Sequence, residues 1–182
     1  VFVFFYLSGM KTTLLFLSVF LSANLFGQNV YIPDANFKAY LVGNPAINTN
    51  GDTEIQVSEA SVFDGPMSCA NRNISDLTGI EAFTALQSLN SRKNQLTTLN
   101  VSQNTALTNL VCDSNQLITL ITNGADTLSS LNCHNNQLTS LDVSQNAVLN
   151  YLYCGGNQLT SLDVSQNAVL NYLYCGGNQL TS

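Results

Sequence analysis

The chain has 182 residues with 5 Lys and Arg against 11 Asp and Glu, a formal net charge of −6, which excludes the basic surface that nucleic acids or anionic lipids require. Charged residues are only 9% of the chain, against about a quarter in ordinary soluble domains, so disorder driven by charge is excluded as well. The balance is carried by 24 Asn and 27 Leu, with no Trp and 3 Pro, a bias that suggests an internal repeat.

Residues 1–27 read as an upstream extension plus a signal peptide. Met10-Lys11 is the natural start, residues 14–26 are almost wholly apolar, and Gly27 is a small residue at the expected cleavage point, with Leu25 making the site imperfect. Ser8, Gly9 and Lys11 interrupt the run, whereas a membrane span wants about 20 uninterrupted apolar residues. The mature chain is therefore expected to be secreted or displayed at the cell surface, without inserting into a membrane.

Residues 28–73 read as an N-terminal cap. Pro33 and Asp34 open a short helix that places Phe37, Tyr40 and Leu41 on one face and ends at Gly43-Asn44-Pro45. The segment from Asn48 to Glu59 then puts oxygen side chains at loop positions one, three, five and twelve, and so resembles an EF-hand calcium loop. Its candidate ligands are Asn48, Asn50, Asp52, Glu54 through its carbonyl, and Glu59. Asn48 stands where Asp is usual and Thr53 where the sharp turn needs Gly, so any calcium is expected to be held weakly, at about 10⁻⁴ to 10⁻³ M. The alternative is an Asn/Gly-rich turn that only packs the cap. No other cofactor is expected.

Residues 74–182 carry the repeat. Leu recurs at 96, 117, 138, 159 and 180, a period of 21, and residues 138–158 are identical to residues 159–179. Within a unit, Leu-x-x-Leu-x-(Val/Cys)-x-x-Asn occurs twice. On an extended segment Leu152 and Cys154 point one way and Tyr151, Tyr153 and Gly155 the other, so one strand per unit is expected at Leu152-Tyr153-Cys154, with a second strand position at Leu141-Asp142-Val143. Asn94, Asn115, Asn136, Asn157 and Asn178 recur where the chain leaves the strand, where inward amides can satisfy buried turn groups. Cys112, Cys133, Cys154 and Cys175 recur on the inward face. In-register strands hold such residues about 4.8 Å apart with parallel side chains, which suits neither a disulfide nor a tetrahedral zinc site; buried free thiols are expected. Thr122 and Ala125 depart from the pattern, so an irregularity is expected at Asn123-Gly124.

These units resemble the nested 21-residue class of bacterial leucine-rich repeats, and the cap resembles those of secreted leucine-rich repeat proteins of Bacteroidetes-type bacteria. The resemblance implies an α/β leucine-rich repeat fold: a β-rich, right-handed solenoid of parallel strands behind a short helical cap. It also implies protein binding or adhesion. The sequence stops three residues into a unit, at Leu180-Thr181-Ser182, so the solenoid is expected to be truncated there.

The outward strand positions form the candidate site. Tyr151, Tyr153, Tyr172 and Tyr174 supply amphipathic rings of the kind found at binding surfaces, although cross-strand aromatic pairs also stabilise sheets. Asp113 and His134 are neighbours in one outward column, within reach of a hydrogen bond, but Cys133 must point inward and no nucleophile completes a triad. Catalytic residues are therefore not expected. The expected function is binding of a protein or glycan ligand on the strand-lined face, with Asp113 and His134 at its edge. The alternatives are a structural surface spacer or the N-terminal part of a larger secreted enzyme.

Overall fold

The computed structural model describes residues 27–181, so the expected upstream extension and signal peptide, residues 1–27, lie outside the described residues but for Gly27. The first helix, α1 (Ala35–Val42), is capped by Asp34, whose Oδ1 accepts the N–H groups of Asn36 and Phe37 at 2.9 Å each. The same carboxylate reaches the start of the repeats: Oδ2 accepts the Ser75 N–H at 2.8 Å and its hydroxyl at 2.9 Å. One side chain thus fixes the helix start and ties the cap to the solenoid. Phe37 and Leu41 are fully buried. The second helix, α2 (Val57–Ala60), is a single turn begun by a reciprocal capping box between Gln56 and Glu59.

Eight three-residue strands follow: β1 (Pro66–Ser68), β2 (Ser88–Asn90), β3 (Thr98–Asn100), β4 (Asn109–Val111), β5 (Thr119–Ile121), β6 (Ser130–Asn132), β7 (Tyr151–Tyr153) and β8 (Tyr172–Tyr174). Six of them form a parallel sheet in the order β1-β2-β4-β6-β7-β8, while β3 and β5 pair separately. Registers advance by one repeat per strand, so Leu89, Leu110, Leu131, Leu152 and Leu173 stand in one column. The ladder reaches back into the cap segment, since Met67 of β1 pairs with Leu89. One continuous core runs from Val30 to Leu159.

The strand lies one residue earlier than the sequence suggests, at Tyr151–Tyr153. The cysteine N–H continues the ladder, as Cys133 N donates to the Tyr153 carbonyl at 2.8 Å. Its carbonyl, however, is taken by asparagine amides: Asn157 Nδ2 donates to the carbonyls of Cys133 and Cys154, both at 3.0 Å. The chain then turns through a left-handed residue, at Asn71, Lys93, Ser114 and Asn135 and finally at Gly156 and Gly177, where the missing Cβ removes the steric cost. The second strand position is occupied in two units, by β3 around Leu99 and β5 around Leu120, also one residue early, whereas residues 141–143 form no strand. In the irregular unit it is the Thr122 hydroxyl that reaches the Asp142 carbonyl, at 3.3 Å.

All five cysteines are free. Cys69, which the repeat pattern alone did not place, heads the inward column, because its N–H bonds the Asn90 carbonyl just as Ser91 N bonds Val111. Burial pushes the Cys69 thiol up to about 12 and that of Cys154 up to about 11, and it raises Cys112 and Cys133 as well. Cys175, expected to be buried, is only half-buried, because no strand covers β8 among the described residues. Native alkylation followed by mass spectrometry should therefore modify Cys175 first and leave Cys69, Cys112, Cys133 and Cys154 slow until denaturant is added. Fast native modification of Cys112 or Cys133 would contradict the packing.

Candidate functional site

The large sheet buries the middle residue of each strand from β1 to β7, leaves Leu173 of β8 exposed, and turns the flanking residues outward, so its outer face consists of columns. Ser88, Asn109 and Ser130 give way to Tyr151 and Tyr172 along one column; Asn90, Val111 and Asn132 give way to Tyr153 and Tyr174 along the next. The aromatic surface is thus confined to the last two strands. Tyr151, Tyr172 and Tyr174 are 45%, 45% and 50% exposed. Tyr153 is half-buried because its ring packs diagonally against Tyr172, with centroids 4.8 Å apart and planes at 31°.

Two glycines seat this cluster. A Cβ on Gly155 would come within 2.3 Å of the Tyr174 ring, and one on Gly156 within 2.4 Å of Asn135 Oδ1. The resulting open concavity, about 490 Å³, is lined by His134, Asn135, Tyr153, Tyr172 and Tyr174 around a glycine floor. Its lining is aromatic and amide-bearing, with the His134 imidazole at one side. Sequence reading assigned no role to Asn135, Gly156 or Gly177 here. Their signal was their place just before the repeated Asn, where the chain needs a left-handed residue.

Asp113 and His134 do not form the anticipated pair. Asp113 is 2% exposed; its Oδ2 accepts the Ser114 hydroxyl at 2.9 Å and stands 3.7 Å from Arg92 Nε. His134 Nδ1 lies 2.9 Å from Asn132 Oδ1. Each has a nearer partner, so only His134 joins the tyrosines around the concavity. Tyr151 shares their face without lining it.

The EF-hand-like loop gathers its residues but uses their oxygens internally. Asn48 Nδ2 donates to the carbonyls of Val42 and Asp52. Asn50 Nδ2 and Gln56 Nε2 both donate to Asp52 Oδ2, at 3.1 and 3.0 Å. Glu54 is drawn away to Lys38 at 2.6 Å. Glu59 Oε1 accepts from the N–H and hydroxyl of Thr49 and from the Asn50 N–H, while Oε2 accepts the Gln56 N–H. A cation would have to displace most of these bonds, so the donor set fits a hydrogen-bonded turn better than a calcium cage. No group of three or more His, Cys, Asp or Glu is placed to hold a metal among the described residues.

No family model and no curated protein matches the chain. Among solved structures it is similar to the functional domain of InlJ from Listeria monocytogenes, which includes a cysteine ladder, with 40% identity and a TM-score of 0.76. That match covers 86% of this chain and 35% of that domain's chain. A leucine-rich repeat protein of Leptospira interrogans superimposes with a TM-score of 0.59 at 23% identity, covering 69% of this chain and 35% of that one. The internalin InlF of Listeria monocytogenes does so with a TM-score of 0.51 at 21% identity, covering 83% and 58%. The chain has the leucine-rich repeat fold: a solenoid of parallel strands with few helices. It spans about a third of the first two of these structures.

The loop yields a pH-dependent expectation. Burial pushes the Glu59 carboxyl up, but hydrogen bonds from Gln56, Thr49 and Asn50 outweigh it and hold the group below its ordinary value of 4.5. Its contribution is therefore present above about 4.5 and lost as pH falls through the depressed folded value. Glu59→Gln should cost about 1.5–3 kcal/mol at neutral pH, the range for bonds to a charged group, and the gap to the parent should close in acid. Urea titrations at neutral and acidic pH measure this; a gap unchanged by pH would show that the charge is not what the loop uses.

Proposed function

We propose that this chain is a protein-binding repeat domain of a secreted or surface-displayed protein, and that it engages its partner through the strand-lined face carrying Tyr151, Tyr153, Tyr172 and Tyr174, with His134 at the edge. The observation that carries this reading is the placement of the tyrosines. The inner face is committed to the core, and among the described residues the outward columns of the large sheet carry large exposed apolar side chains only at β7 and β8, where they join in one patch. The leucine-rich repeat neighbours support a protein-binding role in general terms. Asp113 lies behind this surface and holds Arg92 and Ser114 in place of contacting a ligand.

The domain binds without performing chemistry. Asp113 and His134 are each occupied elsewhere, and the neighbouring thiol of Cys133 is buried and hard to ionise. A glycan partner is the second reading, favoured by a lining of aromatic rings and amides that suits stacking and hydrogen bonding to a neutral ligand.

Capture of partners on the immobilised parent chain, followed by affinity measurement with each one recovered, tests the assignment. Truncating a buried aromatic anchor typically costs about 2 kcal/mol or more, so the double substitution Tyr153→Ala with Tyr174→Ala should weaken binding at least about tenfold. Circular dichroism should remain that of the folded solenoid. Unchanged affinity in a folded double variant would place the contact elsewhere.

A further inference from the structure

The sequence contains two Asn-Gly dipeptides, Asn50-Gly51 and Asn123-Gly124. Such a pair is chemically labile. The glycine nitrogen is unhindered and can attack the asparagine side-chain amide, provided that its N–H is free and the side chain can rotate into place. Local chemistry is the same at both pairs; the fold treats them differently.

Asn50 is locked. Its Nδ2 donates to Asp52 Oδ2 at 3.1 Å and to Gln56 Oε1 at 2.7 Å, and its Oδ1 accepts the Asp52 N–H at 2.9 Å. The Gly51 N–H is itself engaged, donating to Asn48 Oδ1 at 3.0 Å. Asn123, by contrast, is exposed, and its side chain makes only a weak contact with the Asp142 carboxylate; among the described residues the Gly124 N–H donates no backbone hydrogen bond. The pair sits in the irregular unit, where Thr122 and Ala125 replace the Val and Asn of the regular template and the turn passes through Gly124 at φ +98°.

We propose that Asn123-Gly124 is a site of spontaneous covalent modification in the folded protein, and that the fold protects Asn50-Gly51 from the same reaction. Gly124 N loses its proton and bonds to Asn123 Cγ while the Cγ–Nδ2 bond breaks, and the side-chain nitrogen leaves as ammonia. The cyclic imide then adds one water. Opening at one carbonyl gives aspartate; opening at the other gives isoaspartate, in which the main chain runs through the former side chain. No oxidant or reductant is involved.

The product is expected to disturb its surroundings. Asp142 is held below its ordinary carboxyl value by hydrogen bonds from Ser144 and, to the least extent, by Asn123. A carboxylate at position 123 replaces that donor with a like charge. The isoaspartyl form also lengthens the main chain at a turn with no spare room, since a Cβ on Gly124 would lie 2.4 Å from the Ser102 carbonyl oxygen. The site follows β5 in the small sheet, so the tyrosine face of the large sheet is not part of it.

The test uses the intact, folded chain held in warm, mildly alkaline buffer, with peptide mapping by mass spectrometry and enzymatic labelling of isoaspartyl residues. Products at position 123 should exceed those at position 50 by at least about tenfold, because several hydrogen bonds must open before Asn50 can react. In denaturant the two should react at comparable rates. An Asn123→Gln variant, which keeps the fold by circular dichroism, should lose the dominant native-state product. Equal reaction at both positions in the folded chain, faster reaction at Asn50, or an inert Asn123 in a chain whose denatured form reacts would each overturn the proposal.

Discussion

A solenoid with a short unit must turn its chain inside the core, and buried turns strand backbone carbonyls and N–H groups without partners. This constraint governs the molecule. A buried polar group left unpaired costs about 1–3 kcal/mol, and repeating the turn would repeat the cost. The inward asparagines remove it. Asn136 Nδ2 donates to the carbonyls of Cys112 and Cys133 at 3.1 and 3.0 Å, while its Oδ1 accepts the Leu117 N–H at 3.0 Å. Asn94, Asn115, Asn157 and Asn178 repeat the arrangement, each amide joining its own unit to the one before it. A single side chain type satisfies the turn and links neighbouring units.

The other half of the unit follows the same logic less completely. Asn104, Asn146 and Asn167 donate to carbonyls of the preceding unit, but the Oδ1 atoms of Asn104 and Asn167 are buried without partners. Asn146 Oδ1 is the exception, because the Thr122 hydroxyl donates to it at 2.8 Å. The residue that looks like an error in the repeat thereby satisfies an oxygen that its regular counterparts leave bare. Fixed turns also fix the columns: where unit follows unit in strict register, a tyrosine repeated in the sequence becomes a continuous aromatic surface, and a repeated cysteine becomes a line of buried thiols.

Much of this was legible in the sequence because a 21-residue period leaves few arrangements for Leu, Asn and Cys. The inward columns, the role of the asparagines and the free thiols follow from spacing and alternation alone. The cap helix was legible for a local reason, Pro33-Asp34 ahead of Phe37 and Leu41. The second contact of Asp34, to Ser75, was not, since it joins residues far apart in sequence. Strand register shifted by one residue because the cysteine carbonyl goes to an amide and not to a strand, a competition that periodicity cannot express. Asp113 and His134 were correctly placed as column neighbours. Their failure to pair comes from Ser114, Arg92 and Asn132, whose side chains compete at closer range. Cys69 was missed because it precedes the first recognisable repeat, although it occupies the same structural column.

The asparagine ladder is most directly tested by equilibrium urea unfolding of Asn136→Ala beside Gln137→Ala, an adjacent exposed position outside the ladder. The account predicts that Asn136→Ala lowers stability by about 1–3 kcal/mol for each backbone group it leaves unpaired, while Gln137→Ala stays within about 0.5 kcal/mol of the parent. Equal stability of the two variants would contradict the claim that these amides hold the solenoid together.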